Sequence, residues 1–265
     1  MTLHDEYARR TPFEMAFPDG ERLRALGVEV DEEAAARGVD ATDPHAFLTL
    51  GAVGAVMHRL RGADAPPEAA RQYGALVFHA VRFQVAGRPL YVLSASASRH
   101  LVEGPPAGEA SAPAAAGYLQ LPQHLFWAGP VADAPPESVD GMFWAVSGAG
   151  SLHVLAVTGV RPDRPGFGAH ALPAAPLSDV GAWIRADVRE HGEDYASALP
   201  GRELDRLYSV ETAGELLKLL ARFFAYLGAI PHAGEEPRTV SEAAAAEGGG
   251  PRPSALEFTR VGLVP

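Results

Sequence analysis

Residues 141–157 read GMFWAVSGAGSLHVLAV, and this stretch decides the fold. Two apolar runs, Met142–Val146 and Leu152–Val157, are rich in the aromatic and β-branched residues that fit a pleated sheet. The Gly-Ala-Gly triplet at 148–150 separates them and supplies glycine, which accepts the positive φ that tight hairpin turns require. The pattern therefore predicts two antiparallel strands joined by a short turn.

The position of the turn also predicts the register of the hairpin. If pairing is centred on the triplet, Trp144 lies opposite Val154 and Ala145 lies opposite His153. Residues that face each other across two strands share one face of the sheet. Trp144 and Val154 are therefore expected on one common face.

Further strand patterns lie on both sides of the hairpin. Alternating apolar residues predict strands at 118–121, 125–127 and 166–172. With the hairpin they form an antiparallel β-meander over 118–172. The preceding residues, 103–117, are rich in Pro, Ala, Gly and Ser without any periodicity, and we interpret them as a linker.

The N-terminal part, about residues 1–102, is predicted to be a helical subdomain. Apolar residues at helical spacing indicate one helix over 43–62 and a second over 66–87. Asp-Pro and Pro-Pro at their starts and glycine at their ends are typical helix boundaries. Because a short loop joins the two helices, we expect them to pack as an antiparallel hairpin. A short strand over 88–93 and a short helix over 94–102 follow.

The C-terminal part returns to helix over 178–231. A capping-box pattern at 212–215 directly precedes a strongly apolar helix that ends near Gly228. Residues 233–253 are of low complexity, with runs of alanine and glycine, and are interpreted as a flexible tether. Beyond the tether, alternating residues over 255–263 predict a strand that returns to the sheet.

The expected fold is a single α+β domain of 265 residues. It combines a helical N-terminal part, a central antiparallel β-meander, a long C-terminal helix and a returning C-terminal strand. Hydrophobic residues make up 47% of the chain and charged residues 21%, which is ordinary for a globular protein. The chain should therefore fold unaided.

The charge balance bears on the class of partner. The chain carries 33 acidic and 22 basic residues, a formal net charge of −11, and a single lysine, Lys218. Nucleic acids and anionic membranes are bound largely through Lys and Arg. We therefore expect neither nucleic acid nor a membrane as partner, and expect a protein partner or self-association.

The absence of cysteine excludes disulfides, thiol nucleophiles, thiolate metal sites and iron–sulfur clusters. The N-terminus shows no basic segment followed by an apolar one, so no signal peptide is visible. Arginine greatly outnumbers lysine, and alanine, glycine and proline are abundant, as in proteins from GC-rich genomes. We expect a soluble, cytoplasmic, bacterial protein.

No familiar catalytic or cofactor motif meets its physical requirements. The glycines at 148 and 150 do not form a dinucleotide-binding loop. The third glycine is missing, since position 153 is histidine, and the following segment is predicted to be a strand and not a helix. Ser147 and Ser151 border glycines without the pattern of a nucleophile elbow. The run His191-Gly192-Glu193 resembles half of a zinc deaminase signature, which requires cysteine ligands. We therefore expect no metal and no cofactor.

Aromatic residues stand out in the central region. Phe126-Trp127 and Phe143-Trp144 lie on predicted strands, so in each pair the two rings should point to opposite faces. One ring of each pair is expected to pack beneath helices, and the other is expected to be either covered or available to a partner. Trp127, Trp144 and Tyr118 are therefore candidate binding residues, since Trp and Tyr are enriched where partners bind. The alternative is that they simply fill the core of the sheet.

Two functional hypotheses remain open. The first is a non-enzymatic binding protein, such as an accessory subunit of a bacterial assembly or of a defence or immunity system. The second is a small hydrolase with a dispersed site, in which His124 or His153 is the base and Asp140 orients it. Asp140 also fits an ordinary turn position before glycine. Convergence of these three side chains in one pocket would favour the enzyme.

Overall fold

The fold is seen in a computed structural model. It describes residues 8–17, 20–61, 67–104, 111–122, 125–128, 137–159, 167–179, 208–210, 213–229 and 254–262. The predicted tether at 233–253 and most of the predicted helical stretch before residue 208 lie outside these ranges.

Seven helices occur within the described ranges. They are α1 Pro12–Ala16, α2 Gly20–Arg37, α3 Pro44–Leu48, α4 Gly51–Arg61, α5 Pro67–Val85, α6 Ala95–Glu103 and α7 Ala213–Ala229. None of those described is both long and apolar enough to cross a membrane.

The described strands are short to medium in length. They are β1 Leu90–Leu93, β2 Ala116–Gln120, β3 Phe126–Ala128, β4 Val139–Val146, β5 Ser151–Thr158, β6 Gly168–Ala171, β7 Ala175–Pro176, β8 Tyr208–Val210 and β9 Thr259–Val261. Helices and strands are largely segregated along the chain, so the protein is of the α+β class.

The main sheet is mixed and mostly antiparallel. Its strands run in the order β6-β5-β4-β2-β1-β9, and β7 also pairs with β5. The antiparallel meander is confirmed for β2, β4, β5 and β6. The returning C-terminal strand is confirmed too, since β9 pairs with β1, and it does so in parallel.

Strand β3 was expected in the meander and lies elsewhere. It forms a two-stranded parallel sheet with β8. Its link towards β4 is one isolated antiparallel bridge between Trp127 and Ser138. Alternation over three residues indicates a strand but does not select its neighbour, so this pairing depends on the distant residues of β8.

The hairpin register matches the prediction residue for residue. Trp144 lies opposite Val154, and Ala145 lies opposite His153. The turn is closed by the Gly150 N–H, which donates to the Ser147 carbonyl at 2.8 Å, and Gly150 has a φ of 78°. A residue with a side chain rarely adopts that conformation, which explains the glycine.

Helices cover both faces of the sheet. On one face, Tyr118 and Phe143 belong to a core shared with α2, α3, α4 and α5. On the other, Met142 and Trp144 belong to a core shared with α6 and α7. Neighbours along β4 therefore point into different cores, as strand geometry requires. The first group of helices is called the N-terminal helical layer below.

The single helix predicted over 43–62 is two helices, α3 and α4. Between them, the Glu33 carboxylate of α2 accepts the N–H groups of Gly51 at 2.8 Å and Ala52 at 3.1 Å. These bonds satisfy donors at the start of α4 and are the main reason that the pKa of Glu33 lies below its usual value. Local periodicity could not show the break, because the capping group comes from another helix.

Candidate functional site

The predicted catalytic residues do not come together in the described structure. His153 lies near the turn of the β4–β5 hairpin, opposite Ala145. Asp140 lies at the far end of β4, in an irregularity between Val139 and Gly141 that faces the end of β5. Asp140 is five residues from Ala145, so at about 3.3 Å per residue the two lie roughly 16 Å apart along the strands. His124 lies outside the described residues.

His153 points into the interface between the sheet and the N-terminal helical layer. Its ring lies edge-on to Phe78 of α5, with the centroids 6.0 Å apart. The residue is half-buried, and its buried Nε2 has no hydrogen-bond partner in the described part of the chain.

A second imidazole lies deeper in the same interface. His79 of α5 is 3% exposed, and its ring contacts Phe78 and Phe143 at centroid distances of 5.1 and 6.4 Å. Its Nδ1 likewise has no partner among the described residues. Burial, and secondly the neighbouring His153, lower the pKa of His79 from 6.5 to about 3. His79 and His153 are called the histidine pair.

Among the described residues, two neighbouring titratable groups act on His153. Burial is the largest influence on His153 and lowers its pKa, Asp43 acts in the opposite direction, and His45 lowers the pKa further. The side chain of Asp43 already accepts the Ala46 N–H at the start of α3. The loop before α3 is tied to the hairpin turn, where Thr42 Oγ1 accepts the Gly148 N–H at 2.7 Å.

The chemistry available to the histidine pair is proton uptake. Nowhere in the described ranges do three or more His, Asp or Glu side chains form a group that could hold a metal ion. The expected absence of a metal site therefore stays a prediction for the chain as a whole. The two neutral rings hold unpaired nitrogen atoms inside an apolar interface, where a charged ring would be strongly disfavoured.

The Asp140 end of β4 is a buried polar network. Arg9 donates its backbone N–H to Gln120 Oε1 at 2.6 Å. Its Nη2 donates to the carbonyl oxygens of Leu121 at 2.6 Å and Asp140 at 3.2 Å. These bonds attach the N-terminal segment to the ends of β2 and β4, and they involve only the main-chain oxygen of Asp140.

Two of the three candidate aromatic residues are core residues. Tyr118 is 3% exposed and its ring lies 4.5 Å from that of Phe143. Burial is the main cause that raises its pKa well above the usual value; Asp140 adds to this and Arg9 opposes it. Trp144 is 1% exposed and donates its Nε1–H to the Ala114 carbonyl at 3.1 Å. Neither side chain can reach a partner in this conformation.

The third candidate, Trp127, is half-buried on β3. Its partner strand β8 and the bridge to Ser138 hold its backbone on both sides. Of the predicted aromatic residues it is therefore the one with some surface left for contact.

Exposed large apolar side chains point to a different surface. In the described ranges they are Val28, Leu48, Tyr73 and Val85. All four lie in the N-terminal helical layer, on α2, α3 and α5. They are called the helix-layer surface.

The helix-layer surface is organised around two helical glycines. A Cβ on Gly27, the residue before Val28, would lie 3.1 Å from Val85 Cγ2. A Cβ on Gly74, the residue after Tyr73, would lie 3.1 Å from Leu48 Cδ2. Each exposed pair therefore flanks a place where the absence of a side chain lets two helices approach closely.

Neither the helix-layer surface nor His79 was identified from the sequence. Helix α2 carries the exposed Val28 among charged residues, a pattern that a periodicity search passes over. A glycine inside a helix, as at 27 and 74, is a usable signal. Because glycine lowers helix stability, it is expected mainly where close packing requires the absence of a side chain. For His79 the signal is one imidazole inside the apolar run of α5.

Comparison with protein-family models, with curated proteins and with solved structures finds no match to this chain. Function is therefore inferred from the residues of the chain itself.

Proposed function

We propose that this chain is a non-enzymatic protein-interaction module and that the helix-layer surface contacts its partner. The observation that carries the proposal is the grouping of all exposed large apolar side chains of the described ranges on one helical layer. They lie in two pairs, and a partner that covers both must span roughly 18 Å along α5, from Tyr73 to Val85. Exposed apolar side chains that a partner can cover together mark contact surfaces. The role fits an accessory subunit of a larger bacterial assembly in the cytoplasm, for instance in a defence system.

The exposure of the grouped residues is large for apolar side chains. Val28 is 54% exposed and Val85 50%, although Val85 lies against Gly27 on the neighbouring helix. Covering a valine of this kind stabilises a complex by roughly 1 kcal/mol, from its area at about 25 cal/mol per Å². The helix-layer surface therefore provides apolar side chains that a partner can bury, while the polar residues around them would determine which partner binds.

The surroundings favour a basic partner. Glu29 and Glu32 are exposed on α2 next to Val28 and within one turn of it, and the chain as a whole carries a net charge of −11. Complementary charge speeds association and rejects partners of like sign. The partner proposed here is a protein surface with an apolar centre and Lys or Arg at its rim.

The hydrolase alternative loses geometric support for one of its two candidate bases, His153, while the other, His124, lies outside the described residues. A general base and the acid that orients it need hydrogen-bond contact. His153 and Asp140 lie at opposite ends of the β4–β5 hairpin. We therefore do not propose catalysis by this pair.

The proposal is tested by site-specific photocrosslinking in an extract of the native host. A photoreactive residue at Tyr73 or at Val28 should yield one common crosslinked protein, identified by mass spectrometry. Val85→Asp should abolish the crosslink from Val28, and Leu48→Asp the crosslink from Tyr73. Ser96→Asp adds the same charge at an exposed position of α6, on the opposite face of the sheet. It should leave the yield of both crosslinks unchanged.

Two outcomes would count against the proposal. One is an equal crosslinking yield for the wild type and for the Val85→Asp and Leu48→Asp variants. The other is a set of unrelated proteins captured at each position. If the captured protein is a second copy of this chain, light scattering after size exclusion will show a dimer of the purified protein, and the surface is then a self-association surface.

A further inference from the structure

The two helix–sheet interfaces of this protein differ in one chemical respect. The interface beneath the N-terminal helical layer contains the histidine pair. The interface beneath α6 and α7 is built in its described part from apolar and aromatic side chains, with Trp144 against Phe223 and Phe224. Among the described residues, His100 of α6 lies at its edge, where its exposed ring contacts Tyr226 of α7 at a centroid distance of 6.0 Å. Acid can therefore act on one interface and spare the other.

A proton on the histidine pair has little to stabilise it in the closed structure. Nδ1 of His79 and Nε2 of His153 have no acceptor among the described residues. A buried charge without a partner is strongly unfavourable. Each ring is also close enough to the other that a charge on His153 disfavours one on His79.

The charged groups around the histidine pair do not change this balance. On α5, Arg82 follows His79 by one turn and is paired with Asp31 of α2 at 3.1 Å. Asp40, in the loop before α3, acts on Arg82 and binds Thr42. Arg82 and Asp40 are therefore engaged with partners other than the histidine pair.

On α3, Asp43 favours a charged His153 and His45 opposes it. From the sheet side, the side chains next to the pair are the uncharged Phe143 and Ala145. The half-buried, helix-capping carboxylate of Asp43 is thus the only group in this set that favours protonation, and it acts on His153, the outer ring.

We propose that the histidine pair is an acid-sensitive latch, through which protonation separates α3 and α5 from the β4–β5 hairpin while α6 and α7 stay packed on the other face. When the interface opens, both rings reach water and can take up a proton. The hydrogen bond between Thr42 and Gly148 closes the edge of this interface and opens with it. The latch does not depend on the proposed function.

The direction of the pH effect on opening follows from the pKa of His79, which is about 3 in the closed state against 6.5 when exposed. A group with a lowered pKa in the closed state stabilises that state above pH 6.5, and this stabilisation is lost progressively as the pH falls. At pH 4.5 the opening constant should rise about 100-fold from His79 alone. Between pH 6.5 and 4.5 most carboxylates remain charged, so histidine is the main group that titrates.

The latch is tested by hydrogen exchange and mass spectrometry on the full chain at pH 7.5, 6.0 and 4.5, with rates corrected for intrinsic chemistry. The corrected exchange of α5 and α3 peptides should rise at least 30-fold towards pH 4.5, and that of α7 peptides should change less than 3-fold. His79→Leu should remove most of the rise. His58→Gln, which replaces an exposed histidine of α4 in the same layer, should leave it intact.

If His79→Leu does not fold, His153→Gln at the half-buried position serves as the second variant and should reduce the rise. NMR titration of the imidazole carbons in the wild type adds a direct reading, in which His79 stays neutral until α5 opens. The latch is overturned if α5 and α7 lose protection together. It is also overturned if His79 titrates near pH 6.5 while α5 remains protected, or if His58→Gln acts as His79→Leu does.

Discussion

The Glu14 carboxylate accepts the backbone N–H of Ala255 at 2.9 Å, which joins residues 241 positions apart. Its other oxygen accepts the Ser254 hydroxyl at 2.8 Å and the Thr11 N–H at 2.8 Å. One side chain therefore caps α1 and binds the segment that leads into β9. The N-terminal segment and the C-terminal strand are held to the sheet together.

We expect Glu14→Ala to lower the free energy of unfolding by about 2 kcal/mol, because several donors to a charged acceptor lose their partner. Chemical denaturation at pH 7.5 measures the effect. The control is Glu21→Ala, which removes an exposed carboxylate at the start of α2 whose ion pair with Arg24 is exposed on both sides, and it should cost less than about 0.5 kcal/mol. Equal losses in the two variants would contradict the role of Glu14 in joining the N-terminal and C-terminal segments.

The second prediction concerns the dependence of stability on pH. Because the pKa of His79 is lowered from 6.5 to about 3, the unfolded chain binds more protons below pH 6.5 and stability falls with the pH. At pH 5.0 the loss from His79 is about 2 kcal/mol relative to pH 7.5. Urea unfolding at both values should show this difference in the wild type and a smaller one in His79→Leu.

The third prediction concerns Gly117, which lies opposite Trp144 on β2. A Cβ at Gly117 would collide with the Trp144 ring, so Gly117→Ala should cost about 2 kcal/mol or more. In a Trp144→Phe background the smaller ring leaves room, and the same change should cost clearly less. Gly54→Ala in α4, where a Cβ would meet nothing within 4 Å, should instead be neutral or stabilising. Additive costs of the two substitutions in a double-mutant cycle would refute the contact.

These contacts show which parts of the fold a single sequence can predict. The β4–β5 register near the turn follows from local alternation around the glycines at 148 and 150, and the two predicted pairs are confirmed, whereas the irregularity between Val139 and Gly141 was not predicted. The pairing of β3 with β8 and the capping of α4 by Glu33 join segments far apart in the chain. No local pattern specifies such partners, because each depends on how the helices and strands pack together.

The candidate site was predicted less well for the same reason. Trp144 and Tyr118 were singled out by residue type, and type alone does not distinguish a binding ring from a core ring. Burial by α7 on one face and α5 on the other decides the matter. The exposure of Val28 could not be predicted from the sequence, since an isolated valine on a charged helix is ordinary. Only the fold brings its neighbour Gly27 against Val85 of another helix.

The last prediction separates the helix-layer surface from the core beneath it. Val28 and Val30 are two residues apart on α2, yet Val28 is largely exposed and Val30 is fully buried. Val28→Asp should change the free energy of unfolding by less than about 0.5 kcal/mol, whereas Val30→Asp buries an unpaired charge and should cost about 3 kcal/mol or more. Thermal and urea unfolding of both variants provide the measurement. A Val28→Asp protein as unstable as Val30→Asp would mean that Val28 is covered in solution. The helix-layer surface would then have no exposed apolar side chain at this position.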